Sequence, residues 1–343
     1  MLTGLRRARA LRSATRAAVR RQATLLRPGT WVAAGDALWR HHRAEVPEHL
    51  RRTKARGPGV RALVREAALP RRLRVRGPEA AGGGYPLAVA TYDGTVVLLD
   101  PAGGRVARTL PDDVDVAGYR DRRTRFGAHL GTPAFTIGPG LLTEAYVAGD
   151  HVLDLEPRVQ VTVLADLLTR AAALTAAEGS GSAEAALEAV AAHVAAAELP
   201  ADLRRHLTRL PLVELAAGWP LVPAATDATV RNLVVVDGRA VQIDLGDLAP
   251  AAFFEYPLGM VANARPHGLA AYLAGDLDRE VAALFAAAGT SWPLDDEGRV
   301  TLLAVRVALA TLAVTGTGPD AAARFAEGAA RRWRNLWGGA PAR

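Results

Sequence analysis

The chain has 343 residues, half of them apolar and none of them cysteine, with a net charge of +7. That length holds one large domain or two moderate ones around a sizeable core. The missing cysteines exclude disulfides and thiolate metal sites, and they make the cytosol the default compartment.

Residues 1–76 carry 20 Arg or Lys against four acids, a local balance of +16, and the remainder carries 22 against 31, or −9. A basic arm before an acidic body points to an anionic partner for the arm: nucleic acid, an acidic glycan, or lipid headgroups, which would set the protein peripheral to a membrane. Leu2, Leu5, Leu11, Ala18 and Leu25 space as one helical face that Pro28-Gly29 ends. The next stretch, WVAAGDALWRHHRAEVPEHLRR, reads as a second helix presenting Trp31 and Trp39. His41 and His42 fall on its solvated face, with no third ligand at metal spacing. RRWRNLWGG near the C-terminus repeats the pairing of arginine with tryptophan, so both ends suit an anionic surface. The glycine-rich RGPEAAGGGYP reads as a linker. The expected division is a basic helical arm over 1–76, a sheet-bearing lobe over 77–150 and a helical lobe over 151–343. No apolar run qualifies as a spanning helix, since the best, VTLLAVRVALATLAVTG, is short and carries Arg306 in its middle. The N-terminus is transit-peptide-like in composition but lacks the apolar core and cleavage site of a signal peptide.

From Leu87 the period shortens: LAVA, TVVLL and RVARTL read as three strands separated by TYDG and DPAGG, both turn chemistry. VAGYRDRRTRFGAHLG follows as a helix ended by Gly131, then PAFTI and LLTEAYVAG as two more strands. The chain is mostly helical from Leu155, interrupted by a hairpin of Leu233–Val236 and Ala240–Ile243 around Asp237-Gly238. This is an α+β order of two lobes.

The hairpin gathers Asp227 and Asn232 before it and Asp244-Leu245-Gly246 after it. One carboxylate can accept a hydroxyl proton, while a second carboxylate and an amide oxygen can hold Mg²⁺, which takes oxygen ligands and leaves the rest to water and phosphates. Such a set suits phosphoryl transfer, where the protein mainly positions groups and neutralises charge.

On these residues the chain resembles the protein-kinase-like superfamily, especially its aminoglycoside and choline type of small-molecule phosphotransferase, over about residues 85–335. The resemblance implies a bilobal protein-kinase-like fold, here with a basic helical N-terminal extension. It also implies ATP and Mg²⁺ as cofactors, Asp227 as catalytic base, and Asn232 and Asp244 as metal ligands. TYDG, with Tyr92 and Gly94, stands where the phosphate-covering loop of the family lies, and the backbone from Glu144 to Tyr146 stands where the hinge meets adenine. Only DLAPAAFFEYP separates the Asp-Leu-Gly motif from the next helical run, with no Ala-Pro-Glu, which favours a small-molecule or glycan hydroxyl over a protein acceptor. The acidic body suits a cationic or neutral acceptor.

The chain departs from the family's pattern at several positions. Ala225-Thr226 replaces His-Gly before the base, Arg108 takes the place of the phosphate-binding lysine, and Asp121 takes the place of its glutamate anchor. Glu255 stands where a later structural Asp is expected. These departures keep a second reading open, a pseudokinase that binds nucleotide for regulation. A third makes the basic arm the working part, on a membrane or nucleic acid.

Overall fold

The computed structural model describes residues 14, 16–34, 38–47, 72–77, 83–90, 96–110, 114–138, 140–209, 211, 214, 218–225, 228–243, 245 and 248–337. Two units emerge, residues 1–116 with 133–148, and residues 117–132 with 149–343.

The first unit is built on one antiparallel sheet. Its strands are β1 (Gly29–Ala33), β2 (Leu38–His41), β3 (Arg72–Val75), β4 (Leu87–Ala90), β5 (Val96–Asp100), β6 (Arg105–Thr109), β7 (Phe135–Gly138) and β8 (Leu141–Ala145), in the order β3-β1-β2-β4-β5-β6-β8-β7. The three strands expected from Leu87 and the two after the helix form where the alternation puts them.

Of the arm's two expected helices, the first is helical over residues 16–21, and the second departs from expectation. The stretch from Trp31 folds as a hairpin in which Ala33 faces Trp39 and Trp31 faces His41, and β3 pairs along the outer side of β1. Both tryptophans are fully buried, packed with Val19, Leu26 and Leu98. The physical reason lies in the spacing: eight residues bring a side chain back near the same helical face, and in an antiparallel pair registered Ala33 to Trp39 they also put Trp31 and Trp39 on one face of the sheet. β-propensity of Trp, Val and Thr then favours the sheet. His41 is therefore buried on β2 rather than solvated on a helix, with the His42 ring centroid 4.4 Å from its own.

The second unit is mostly helical: α1 (Val116–Leu130, from Ala117 onward), α2 (Pro157–Glu178), α3 (Glu184–Ala196), α4 (Ala201–Thr208), α5 (Glu255–Asn263), α6 (His267–Ala274), α7 (Asp278–Ala287), α8 (Asp296–Thr315) and α9 (Ala321–Leu336). α1 ends at Gly131, whose φ of +72° closes the helix without a Cβ penalty. α8 begins at Asp295, whose side chain accepts from the Gly298 amide. α2 and α8 are long and apolar enough to cross a membrane by length and composition, contrary to the reading of the raw sequence. Both pack inside this unit, where their leucines join one core with Trp219, Phe253, Phe254 and Phe285. Trp333 of α9 belongs to that core too, its indole donating to Asp202 at 2.7 Å, so the C-terminal tryptophan is structural rather than presented to a surface.

Candidate functional site

Two short antiparallel pairings in the second unit organise the motif residues. β10 (Leu221–Ala225) pairs with β13 (Leu248–Ala252), matching Ala225 to Leu248. β11 (Leu233–Val236) pairs with β12 (Arg239–Gln242), matching Leu233 to Gln242, and on its other side with the short β9 (Asp150–His151). The Asp237-Gly238 turn has both residues at positive φ, 50° and 76°, as a tight two-residue hairpin requires. At the base of the hairpin the Ile243 amide donates to the Asn232 carbonyl at 2.8 Å. Asp227 stands two residues beyond Ala225, Asn232 one before Leu233, and Asp244 two beyond Gln242. The matched pairs therefore tether the chain close to all three positions. Asp227 and Asp244 themselves lie outside the described residues, as do Tyr92 and Gly94 of the expected phosphate-covering loop.

Asn232 ends a short 3-10 turn, and its buried side-chain amide nitrogen has no hydrogen-bond partner among the described residues. A buried carboxamide left unsatisfied costs free energy unless something meets it. Half a turn about its last torsion would present the oxygen instead, the acceptor that a cation needs. The residue present therefore fits a metal ligand.

The hairpin is braced from below. Gln242 is fully buried, with its side-chain oxygen accepting from the Tyr256 hydroxyl at 2.8 Å. Its backbone N–H donates to the Gly131 carbonyl at 3.0 Å. Arg170 of α2 donates to Leu130 and Ala240 carbonyls, clamping the end of α1 to β12. One contact reaches the Asp-Leu-Gly motif directly: the buried Tyr119 hydroxyl of α1 donates to the Leu245 carbonyl at 2.9 Å and accepts from Arg123 at 3.1 Å. Sequence reasoning missed this chain. It looked to that helix only for an acid to anchor Arg108, and no local signal marks the tyrosine and fully buried arginine that hold the motif.

Asp121, the acid expected to anchor Arg108, is exposed and pairs with Arg125 one turn along its own helix at 2.7 Å. In the first unit, Arg108 on β6 is buried and matched to Leu142, and Glu144 on β8 is buried and matched to Val106. Register puts Arg108 and Glu144 on one face of the sheet, a diagonal step apart. Two amides of the stretch expected to meet adenine have partners in the first unit. The Ala145 amide donates to Ala134 and the Tyr146 amide to Gly104, so these two donors are used within the unit.

A cavity of about 780 Å³ opens in the second unit, lined by Ala225 and Ala228 on either side of Thr226-Asp227. The Asn263 side chain donates to the Ala228 carbonyl at 2.7 Å, fixing that loop to the end of α5. Glu255, at the start of α5, accepts from the Ala252 amide at 2.9 Å, which joins β13 to the helix.

No family model and no curated protein matches the chain. Among solved structures it is similar to a choline/ethanolamine kinase family protein from Mesorhizobium loti, at 17% identity and a TM-score of 0.41, covering 72% of this chain and 86% of that one. It is similar to an aminoglycoside phosphotransferase from Streptomyces rimosus, at 20% identity and a TM-score of 0.38, covering 64% and 91%. A macrolide 2'-phosphotransferase from Brachybacterium faecium shares 16% identity at a TM-score of 0.43, covering 78% and 93%.

Proposed function

We propose that the protein is an ATP- and Mg²⁺-dependent phosphotransferase acting on a hydroxyl of a small molecule or glycan. The observation that carries this reading is the pair of matched strand ends, Ala225 with Leu248 and Leu233 with Gln242, which bracket Asp227, Asn232 and Asp244. The orphaned amide of Asn232 supports it.

Asn232 and Asp244 would hold Mg²⁺, which supplies charge neutralisation at the phosphates when bound. Asp227 accepts the proton of the acceptor hydroxyl as that oxygen forms its bond to the γ-phosphorus. The bond from that phosphorus to the departing ADP oxygen breaks, so the products are the phosphomonoester, ADP and a proton held on the carboxylate. Arg108 meets the phosphates in place of lysine, offering a planar fork that stays charged. Glu144, on the same face of the sheet, takes over the anchoring role first given to Asp121. Tyr92 and Gly94 cover the phosphates, and the chain around Tyr146 borders the adenine.

Asp244→Asn is expected to abolish the Mg²⁺-dependent part of thermal stabilisation by ATP, while Asp227→Asn keeps ATP binding and loses product formation. Equal stabilisation by ATP with and without Mg²⁺, in wild type and Asp244→Asn alike, would refute the assignment. The missing lysine and histidine favour a second reading, nucleotide binding without transfer. ATP binding with no turnover across a panel of alcohols would select it.

A further inference from the structure

The cavity beside Ala225 and Ala228 has a charge that the composition of this half of the chain does not suggest. Its walls are largely alanine and leucine, and its described ionisable lining is Arg265, Arg306 and Arg332 against Glu255 alone. Arg306 projects from the middle of the apolar helix α8, and Arg332 from α9. The Nε of each is buried without a hydrogen-bond partner among the described residues.

Burial pushes the Arg306 guanidinium down to about 10, with Glu255 pulling it back up and Arg332 adding to the depression. It remains a cation at neutral pH. Glu255 does not pair with it closely, being hydrogen-bonded to the Ala252 amide, and burial holds its carboxyl above the usual range. A desolvated cation that lacks an ion-pair partner is costly unless an anion comes to it.

Gly259 shows that room is made for this cation. A Cβ built there would lie 2.6 Å from Arg306 Nη2 and 2.8 Å from the Ala228 Cβ. The glycine in α5 thus lets the guanidinium approach Ala228, the residue next to Asp227 in the chain.

We propose that this cavity is the acceptor pocket and that it selects an anionic acceptor, a hydroxyl compound with an apolar body and a carboxylate or phosphate received by Arg306 and Arg332. Its role as acceptor pocket rests on the phosphotransferase reading; its preference for an anion rests on the two arginines. The expectation of a cationic or neutral acceptor from the acidic body is reversed, because net charge describes the whole surface and the lining describes the site.

The test uses the full chain and three probes of equal length: 6-hydroxyhexanoate, 6-hydroxyhexanamide and 6-amino-1-hexanol. Binding is measured by ligand-observed NMR without nucleotide. The acid should bind about tenfold more tightly than the amide, since charge-assisted hydrogen bonds are worth roughly that factor, with the amine weakest. Arg306→Gln and Arg332→Gln should each remove most of the difference. Arg332 is half-buried, so its variant keeps the test informative if loss of Arg306 unfolds the protein. Preference for the amine, equal binding of all three, no binding of any, or an unchanged preference in a folded variant would overturn the proposal. Displacement of the acid by ATP with Mg²⁺ would also overturn it, assigning the arginines to the nucleotide. ATP stabilisation is followed separately. If it fails while the acid preference holds, the phosphotransferase reading falls and the anion site stands; the converse result removes only the anion site.

Discussion

At the residue scale, Tyr119 shows how little a side chain's class says about its task. Its phenol joins Arg123 to the carbonyl between Asp244 and Gly246, so one hydroxyl couples α1 to the motif. Tyr119→Phe leaves the ring in place and deprives the buried Leu245 carbonyl of that donor, which should cost about 1–3 kcal/mol in urea unfolding. It should also weaken Mg²⁺-dependent stabilisation by ATP. If stability falls and the ATP effect is unchanged, the tyrosine braces the fold alone. Sequence pointed to Asp121 on the same helix for a different task, anchoring Arg108, because it is the acid best placed on α1. Which face of α1 turns inward is decided by what packs against it, and packing chose Tyr119, Arg123, Phe126 and Leu130.

At the element scale, the arm's hairpin is the clearest case in which local pattern misleads. Trp31 and Trp39 form part of the sheet core, so Trp39→Ala should destabilise the protein by about 3–5 kcal/mol, as truncation of a large buried side chain does. Denaturant unfolding followed by circular dichroism measures this. A variant of unchanged stability that had lost affinity for anionic vesicles would restore the reading of the arm as a surface-binding element. The β11–β12 hairpin was legible because Asp-Gly between alternating apolar residues specifies one turn type. The β10–β13 pair was not. Its sequences, LVPAA and LAPAA, are rich in alanine and set Pro223 opposite Pro250, a composition of low strand propensity tolerated in a two-stranded ribbon.

At the scale of the whole molecule, each unit carries a buried histidine that resists protonation. Burial lowers the pKa of His41 on β2, and His42 and neighbouring arginines lower it further. Burial likewise lowers that of His206 on α4, with Arg205 adding to it, while its Nδ1 lies 3.0 Å from the Thr301 hydroxyl. Both folded values sit below the ordinary 6.5, so below that pH the unfolded chain binds more protons than the native one. Their contribution to stability is therefore present above about 6.5 and is lost as pH falls towards the folded values. Urea midpoints at pH 7.5 and 5.5 measure the drop. His206→Gln, which keeps a partner for Thr301, should shrink it; an equal drop in both proteins would remove His206 from the account. Glu255, shifted upward by burial, acts in the opposite direction in wild type and variant alike.

Those features that depend on neighbours in the chain could be read from the sequence alone: the strands from Leu87, the helix stopped by Gly131, and the Asp-Gly hairpin. Each rests on periodicity or turn chemistry within a few residues. Tertiary structure decided the rest. It closed β10 onto β13, buried the arm's tryptophans in the sheet, turned Tyr119 towards the motif, and brought Arg306 and Arg332 to one cavity from two different helices. Strand pairing over more than twenty residues and the inward face of a helix are set by the summed burial of apolar surface, a quantity that no short window of sequence contains.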